Sequence, residues 1–553
     1  MGDFGQPNNE IEAEEVGVIV RGSLSEGLDI RLAEGKSIED LRVGKFMVIR
    51  GDRNRYFAML NDVQLSASHS GFLLTPPRKE DTLTQTVLRG INTFGIVKMR
   101  PMLMIPNSAT SESQDELLPI KTIPSHFSPV FEATSDDVAR VFGREDSPHG
   151  SFFHVGEPLD MDTPVCLNLD RWVERSNAIF GKSGTGKTFL TRLCHCGVIK
   201  ANNAVNLIFD MHSEYGWEGT QEGGSRKTKG LKQHFGSRVK IFTLDEAHAR
   251  RTRRPHDYVV QIPYSQITAE DILLLQKELN LPATTVETCY SLISEWKENW
   301  LEKFLEMDND DLKEYVEKHN VHHGAMSALQ RRLQRLAKDC ETFLLPNLSK
   351  QDNAVNTILR ELQSGYHVVL EFGQFDRPIQ YMLVVNILTR LIHEKYREMT
   401  EVALGSDSPP PKPLVITIEE AHKFLTPQLA EQTIFGTIAR EMRKYNVTLL
   451  IVDQRPSQID DEILSQVGTK ICCLLDDEKD INAVLTGVHG ASSLRNVLAS
   501  LETRQQALIF GHAVPMPVVV KTRTYDEEFF RTLLPADRRS EDKIVQDFDD
   551  DYP

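Results

Sequence analysis

The chain has 553 residues, of which 40% are hydrophobic and 26% are charged. This composition is typical of a folded protein with a sizeable core and excludes a fibrous or disordered chain, and the length predicts several domains. No stretch approaches the ~18 apolar residues of a membrane span, and the acidic N-terminus does not resemble a signal peptide. We therefore expect a cytoplasmic protein without a membrane anchor.

The net charge and the cysteines limit the possible partners. A formal net charge of −17 argues against general electrostatic binding to nucleic acid, although it allows a basic lining inside a ring. None of the seven cysteines has metal-ligand spacing. The Cys-His-Cys sequence at 194–196 falls in a predicted helix, where successive side chains face different directions. We read these cysteines as reduced, buried side chains.

The N-terminal third predicts a small β-barrel. Residues 1–12 are polar, and we expect them to be disordered. Between 13 and 155, short strand-like segments follow one another at close spacing, as is typical of small barrels, and a linker completes this region. The segments are VGVIVRGS, LDIRLAE, GKFMVIRG, YFAMLNDVQLSA and LRGINTFGIVKMRPMLMIP.

From residue 156 onward, apolar runs alternate with helical stretches such as YMLVVNILTRLIHEKYREM. Nearly continuous apolar runs are typical of parallel strands buried on both faces, so the pattern predicts an open parallel α/β sheet. The predicted strands are SNAIF (176–180), VNLIFD (205–210), VKIFTL (239–244), YVVQI (258–262), HVVLEF (367–372), LVITIE (414–419), TLLIVD (448–453), KICCLL (470–475) and QALIF (506–510).

Residues 266–345 interrupt this alternation because they show helical patterns only. We predict a helical bundle there, with Ser265 and Asp308 as helix N-caps. The bundle is inserted between two parts of the α/β domain, 156–265 and 346–535. The second part includes the C-terminal strands, and an acidic tail follows at 536–553.

Residues 181–188, GKSGTGKT, match the P-loop pattern between an apolar strand and a helix. The glycines of such a loop let backbone N–H groups converge on phosphates, while Lys187 would reach the β and γ phosphates and Thr188 would ligate Mg²⁺. The motif therefore predicts ATP and Mg²⁺, in a RecA-like parallel-sheet P-loop ATPase core. The residues assigned to the nucleotide are Gly181, Lys182, Ser183, Gly184, Thr185, Gly186, Lys187, Thr188 and Phe189.

Hydrolysis also needs an acid near Mg²⁺ and a base for the attacking water, and two sequences provide such a pair: DEAH at 245–248 and EEAH at 419–422. We favour the second. Its strand, LVITI, is nearly all apolar or β-branched, as expected beside a P-loop, whereas VKIFTL should be half exposed and HARRTRRPH is a poor helix start. Glu419 is then expected to support Mg²⁺, usually through water, and Glu420 to polarise the attacking water.

The strand TLLIVD ends at Asp453, directly before Gln454. A glutamine at the end of the strand beside the base strand can sense the γ-phosphate, so Gln454 is a further expected catalytic residue. The alternative is that Gln454 only caps the strand.

In the order and spacing of its motifs the chain resembles the HerA family, whose members are hexameric DNA translocases related to FtsK. Two positions depart from the family pattern: Asp453 replaces a usual Thr or Ser, and Glu419 replaces Asp. The motifs that carry the resemblance are FGKSGTGKT, DMHSEY (210–215), ITIEEAH, REMRKY (440–445) and DQRPS (453–457).

The resemblance implies a homo-hexamer acting on double-stranded DNA, with a nuclease (NurA-like) or another effector enzyme as partner, in end processing or phage defence. It also implies a nucleotide site at the subunit interface, where Arg440 or Arg443 reaches a neighbour's ATP as an arginine finger. The alternative for these two arginines, three residues apart on a predicted helix, is a solvated surface pair.

Two other functions remain open at this point. The ring can act mainly as a scaffold that activates a partner enzyme, or the chain can be a conjugation-type secretion ATPase, which the lack of a membrane anchor disfavours. For DNA contact the sequence offers two basic segments, 225–232 and 250–254. Both follow predicted strands and can project into a ring channel, or they can be solvated surface loops.

Overall fold

The structure is a computed structural model. It describes residues 15–533 except 34, 68–92, 108–116, 149, 221–226, 283–284, 320, 347–352, 407, 431–432, 441–443, 489–490 and 504. The predicted disordered segment 1–12 and the acidic tail 536–553 lie outside the described residues. The chain divides into two compact units, Met1–Asn168 with His489–Arg523, and Leu169–Val488 with Thr524–Pro553.

Most of the described strands lie close to predicted apolar or alternating segments, whereas the strands at Pro129–Glu132, Phe152–Pro158 and Val165–Asn168 and several two-residue strands were not predicted. In chain order they are β1 Glu15–Ser23, β2 Gly27–Leu32, β3 Phe46–Arg50, β4 Asn54–Ala67, β5 Thr93–Pro106, β6 Leu118–Pro119, β7 Pro129–Glu132, β8 Phe152–Pro158, β9 Val165–Asn168, β10 Asn177–Phe180, β11 Val205–Asp210, β12 Gly219–Thr220, β13 Lys227–Thr228, β14 Val239–Thr243, β15 Tyr258–Val259, β16 Ile262–Pro263, β17 Leu344–Leu345, β18 His367–Glu371, β19 Leu414–Glu419, β20 Val447–Asp453, β21 Thr469–Cys472, β22 Gln506–Gly511 and β23 Val518–Thr522.

The described α-helices lie mainly in the second unit. In chain order they are α1 Ser135–Phe142, α2 Leu169–Glu174, α3 Lys187–Ala201, α4 Leu231–Phe235, α5 Glu246–Thr252, α6 Ala269–Leu274, α7 Thr285–Trp296, α8 Trp300–Glu306, α9 Asn309–His319, α10 His323–Asp339, α11 Ala354–Gln363, α12 Pro378–Leu404, α13 Pro427–Ala430, α14 Ile434–Arg440, α15 Asp461–Gln466, α16 Glu478–Val484, α17 Ala491–Ala499 and α18 Glu527–Leu533.

The first unit contains the predicted β-barrel. Its strands follow the order β2-β1-β7-β3-β4-β5, and β2 also pairs antiparallel with β5, which closes the sheet. The inward-facing side chains of alternating strand positions fill the barrel, among them Ile30, Met47 and Val97. The predicted small barrel is therefore confirmed.

The C-terminal strands β22 and β23 fall within the first compact unit, together with β8 and β9. β23 pairs antiparallel with β22 on one side and with β8 on the other, and β8 pairs with β9. The apolar sequences QALIF (506–510) and VVVKT (518–522) indicate strands, but they do not indicate which strands pair with them. Pairing over more than 300 positions of sequence is decided by the tertiary fold.

The second unit is built on the predicted open parallel sheet. Its strands follow the order β15-β14-β18-β11-β19-β20-β10-β21. Every residue of β10, β11, β18, β19, β20 and β21 is buried, because helices cover both faces of a parallel sheet. The α/β fold class is confirmed.

The helical insertion is also confirmed, with helices α6 to α10 between residues 269 and 339. One predicted cap is wrong. Ser265 lies in a short 3-10 turn, and Thr268 caps α6, with its N–H and hydroxyl donated to Asp271 Oδ2 at 2.8 and 3.1 Å. Asp308 does cap α9, since its Oδ1 accepts the N–H groups of Asp310 and Asp311.

The sheet order corrects one premise of the sequence reading. β10, which leads into the P-loop, pairs with β20 and β21, so β19 is one strand further away. Since these strands are parallel, their carboxyl ends still meet at one edge. The P-loop, the segment after β20 and the segment after β19 therefore stand side by side at that edge.

Candidate nucleotide site

The P-loop begins where β10 ends and closes at the first turn of α3. Gly184 and Gly186 adopt left-handed conformations with φ of 77° and 97°, which side chains disfavour. A Cβ on Gly181 would lie 2.7 Å from Cys473 Cβ, so this position requires glycine for close packing. The glycines thus shape a loop whose backbone can approach phosphates at the N-terminus of α3.

The two polar side chains at the start of α3 contact groups within the site. Lys187 donates from Nζ to the carbonyl of Lys182 at 2.9 Å. Thr188 donates from Oγ1 to Glu214 Oε2 at 2.9 Å. Glu214 has no role predicted from the sequence, although it lies in one of the motifs that resemble the HerA family. The structure places its carboxylate against Thr188, the expected Mg²⁺ ligand.

The turn after β11 is held by the buried Asp210. Its carboxylate accepts the backbone N–H groups of Glu214 at 2.7 Å, Tyr215 at 2.8 Å and Gly216 at 3.3 Å. Burial is the largest cause of a raised Asp210 pKa, and the three hydrogen bonds oppose it. Arg192, on the buried face of α3, donates to the carbonyl of Glu214 and ties the turn to the P-loop helix.

Glu419, the last residue of β19, is buried beside this turn. Its Oε1 accepts the hydroxyl of Tyr215 at 2.8 Å, and its backbone N–H donates to the hydroxyl of Tyr381 at 3.1 Å. Burial, followed by the charge of Asp210, raises the pKa of Glu419 to about 8, while the Tyr215 hydrogen bond lowers it. Within the described residues Glu419 Oε2 has no hydrogen-bond partner.

These groups fit a hard divalent cation. Mg²⁺ prefers hydroxyl, carboxylate and water oxygens, and it favours the ionised form of a buried carboxyl group. Thr188 would supply the hydroxyl, and Glu419 would supply a buried oxygen that has no hydrogen-bond partner within the described residues. Mg²⁺ in such a site neutralises phosphate charge, and Thr188 with Glu419 would hold it.

Glu420 has surroundings that differ from those of Glu419. Its backbone is left-handed, with φ of 50°, which turns the chain sharply at the end of β19. Its Oε1 accepts the side-chain N–H of Gln454 at 3.1 Å. The Glu420 side chain is 27% exposed, so water can reach it. The structure thus brings together the two expected catalytic side chains from neighbouring strands.

His422 and Asp453 stand next to this pair, and sequence reasoning gave neither a role. His422 Nδ1 lies 3.0 Å from Asp453 Oδ2, and its backbone N–H donates to the same oxygen at 2.8 Å. The hydrogen bond with Asp453 is the main cause of a raised His422 pKa. The sequence did contain a signal for this pair. Asp453 replaces the Thr or Ser that is usual at this position, and it therefore places an acid at the end of a buried strand.

The alternative DEAH sequence lies elsewhere in the unit. Four strands separate β14, which leads into it, from β10. Asp245 caps α5 by accepting the N–H of His248 at 2.9 Å, and Glu246 pairs with Arg250. Two expectations about this sequence were wrong. The strand β14 is mostly buried rather than half exposed, and a helix does start at Glu246.

Of the two arginines expected to act between subunits, the structure describes only Arg440. Arg440 is the last residue of α14, where it pairs with Glu462 at 3.4 Å and donates to the carbonyl of Ala430 at 3.3 Å. Arg443 lies outside the described residues. The expected shared helix face therefore stays a prediction.

The two basic segments, 225–232 and 250–254, are only partly exposed loops. In the first, Arg226 lies outside the described residues, and Lys232 is buried and donates to Asp257 and to the carbonyl of Val239. The second is not a loop, because Arg250 and Arg251 form the last turn of α5. Arg254 donates to the carbonyl of Ser213, beside the turn of Glu214, at 3.4 Å.

All seven cysteines are buried and free, as predicted. Over the described residues, no cluster of histidine, cysteine and acidic side chains forms a separate metal site, and no helix is long and apolar enough to cross a membrane.

Comparison with known proteins agrees with the motif reading. Residues 153–392 match the family "Helicase HerA, central domain". The chain is 24% identical to the DNA double-strand break repair helicase HerA of Pyrococcus furiosus, covering 75% of this chain and 76% of that protein. It is 22% identical to the protein of the same name from Sulfolobus acidocaldarius, covering 88% and 90%.

Among solved structures, VirB4 of Thermoanaerobacter pseudethanolicus aligns at 14% identity with a TM-score of 0.46, over 70% of this chain and 99% of that chain. That similarity is too low to assign a function. The family match and the two relatives together show that the chain is similar to HerA helicases over most of its length, and the P-loop marks it as a P-loop ATPase.

Proposed function

We propose that this chain is an ATP-driven double-stranded DNA translocase or helicase that works as a homo-hexameric ring. The relatives matched over most of its length are named DNA double-strand break repair helicases. The observation that carries the proposal is that Thr188, at the start of α3, and Glu420 and Gln454, directly after β19 and β20, lie at one edge of the sheet.

In this proposal each residue has one task. The P-loop amides and Lys187 bind the phosphates, and Thr188 with Glu419 holds Mg²⁺. Glu420 takes up a proton from the attacking water, or orients it, because its carboxylate is partly exposed. Gln454 touches Glu420 directly, so a change in its γ-phosphate contact can reach the base.

Assembly into a ring would complete the site. We assign to Arg440 or Arg443 the stabilisation of charge on a neighbour's γ-phosphoryl group. The ring's partner would be a NurA-like nuclease or another effector enzyme, and its role DNA end processing or phage defence. The resemblance supports this partner class, and the acidic net charge of −17 requires that DNA contacts be concentrated locally.

The test is ATP-dependent displacement of a third strand from a triplex on linear duplex DNA, measured together with DNA-stimulated ATP hydrolysis. Translocation should displace the strand in the wild type and fail in Lys187→Ala. ATP hydrolysis that ignores DNA, with no displacement, would reject the proposal and favour a ring scaffold that activates a partner enzyme.

A further inference from the structure

His422 lies between two carboxylates, one buried and one partly exposed. Its Nδ1 faces Asp453, at 3.0 Å from Oδ2 and 3.2 Å from Oδ1. Its Nε2 faces Glu420 Oε2 at 3.7 Å. The imidazole therefore connects the fully buried acid at the end of β20 with the expected general base after β19.

The geometry favours a positively charged ring. With Nδ1–H donated to Asp453, a neutral imidazole would present a lone pair on Nε2 to the Glu420 carboxylate, whereas the imidazolium presents an N–H. Hydrogen bonding to Asp453 is the largest cause of the raised His422 pKa. Burial and the nearby Lys423 oppose that rise, and the charge of Glu420 adds to it.

The two oxygens of Glu420 face different side chains. Gln454 donates to Oε1 at 3.1 Å, and His422 faces Oε2. Asp453 in turn is fixed by the backbone N–H groups of His422 at 2.8 Å and Arg455 at 2.7 Å. A base with a hydrogen bond at one oxygen and a cationic ring near the other has fewer orientations available and loses less rotational freedom when it orients a water molecule.

We propose that His422, anchored by Asp453, is a positioning residue that orients the Glu420 carboxylate for hydrolysis. The proposal rests on the proposed role of Glu420 as the base. It also assigns a function to Asp453, namely to anchor His422, at a position where the HerA family usually has Thr or Ser.

The test uses His422→Gln and Asp453→Asn in the full chain, with steady-state ATP hydrolysis and ATP affinity measured separately. We expect kcat to fall ~10- to 100-fold, as for a misplaced catalytic group, while ATP affinity changes less than about twofold. The control is His248→Gln, the same position in the DEAH sequence, which should leave kcat unchanged.

The pH profile separates positioning from a purely structural role. The imidazolium is lost as pH rises through its raised pKa, so kcat should show a basic limb governed by His422. In Asp453→Asn that pKa falls back toward its ordinary value, and the basic limb should move to lower pH. This measurement remains decisive if His422→Gln fails to fold.

Unchanged kcat in His422→Gln, or a basic limb that stays in place in Asp453→Asn, would overturn the inference. Failure of the proposed role of Glu420 gives a different result, since Glu420→Gln would then turn over ATP normally. Failure of the proposed DNA translocation is seen separately, as the absence of strand displacement in the wild type. If Glu420→Gln stalls while His422→Gln is normal, only the positioning role is rejected.

Discussion

The two adjacent acids at the end of β19 have opposite environments. Glu419 is buried and bonded to Tyr215, whereas Glu420 turns outward on a left-handed backbone toward Gln454. A buried carboxylate suits a cation, which compensates the cost of burying charge, and an accessible carboxylate suits a water molecule. The order of the two residues at the strand end therefore predicts that Glu419 holds the cation and Glu420 activates the water.

The division between phosphate binding and water activation can be tested by three substitutions. Lys187→Ala should weaken ATP binding and abolish hydrolysis, because the β and γ phosphates lose their cation. Glu420→Gln should keep ATP affinity and lower kcat by ~100-fold or more, because the base is lost. Nucleotide binding by equilibrium titration and phosphate release by stopped flow measure the two effects separately.

Glu246→Gln is the matched control for Glu420→Gln, since it alters the same position of the DEAH sequence. It should leave turnover near the wild-type rate. Normal turnover in Glu420→Gln together with a loss in Glu246→Gln would show that the rejected sequence supplies the base.

The Tyr215 hydroxyl favours the ionised form of Glu419 against the effect of burial. It donates to Oε1 at 2.8 Å, and this hydrogen bond lowers the pKa of a carboxyl group that burial raises to about 8. Tyr215→Phe should therefore raise that pKa further, leave less ionised carboxylate at neutral pH and weaken Mg²⁺ binding. A hydrogen bond to a charged group contributes about 1.5–3 kcal/mol, which corresponds to a ~10-fold or larger rise in the Mg²⁺ concentration for half-maximal turnover.

The measurement is ATP turnover as a function of Mg²⁺ at pH 7 and pH 9. The defect in Tyr215→Phe should shrink at pH 9, where more of the carboxyl group is ionised. Tyr525→Phe is the control, since Tyr525 is also buried but lies near Cys196 rather than Glu419. An equal Mg²⁺ requirement in wild type and Tyr215→Phe would contradict the role of Glu419.

At the scale of elements, α5 brings basic side chains to the carboxyl edge of the sheet. Arg250, Arg251 and Arg253 are exposed at its C-terminal end, where positive charge also complements the helix dipole. Beside them lies a cavity of about 790 Å³ that Arg253 and Arg254 help to line. This arrangement supports the second basic segment as a DNA-contacting element.

Replacing Arg250, Arg251 and Arg253 by Ala should weaken binding to duplex DNA of any sequence, because backbone contacts carry most affinity that is independent of sequence. The slope of log affinity against log salt should become shallower by ~0.9 for each phosphate that the variant no longer neutralises. Arg254 is retained, since it holds the carbonyl of Ser213.

Fluorescence anisotropy at several salt concentrations measures the DNA effect, and the thermal midpoint verifies folding. A companion variant in the first segment, Arg226→Ala with Lys227→Ala and Lys229→Ala, tests the other basic stretch. If neither variant changes affinity or slope, other residues line the path of the DNA.

At the scale of the whole molecule, a ring predicts that subunits depend on one another. Arg440→Ala or Arg443→Ala subunits, mixed into wild type, should depress ATP hydrolysis more than in proportion to their fraction, because each altered subunit also disables a neighbour's site. Subunit-mixing series with fixed total protein measure this, and light scattering reports the number of subunits.

Arg440 needs its own control, since it also pairs with Glu462. Glu462→Ala removes that ion pair and leaves the arginine, so it should not reproduce the mixing effect. A strictly proportional response in both arginine series would place the finger elsewhere or argue against a shared site.

The sequence alone determined most strands of the parallel sheet, the P-loop and the helical insertion. Its apolar runs matched β11 and β19 residue for residue, because a parallel strand buried on both faces leaves little freedom in side-chain polarity. The P-loop could also be predicted from the sequence. Its glycines and lysine are required by the local backbone geometry and by the charge of the phosphates, not by residues distant in the chain.

Only the tertiary structure decided which of these segments are neighbours. It put β20 between β10 and β19, paired the C-terminal strand β23 with β8, and set Asp453 against His422 across 31 positions of sequence. Local polarity determines that a strand is buried, but strand order and side-chain contacts depend on how the whole chain packs. The environment that separates Glu419 from Glu420 arises only once that packing is complete.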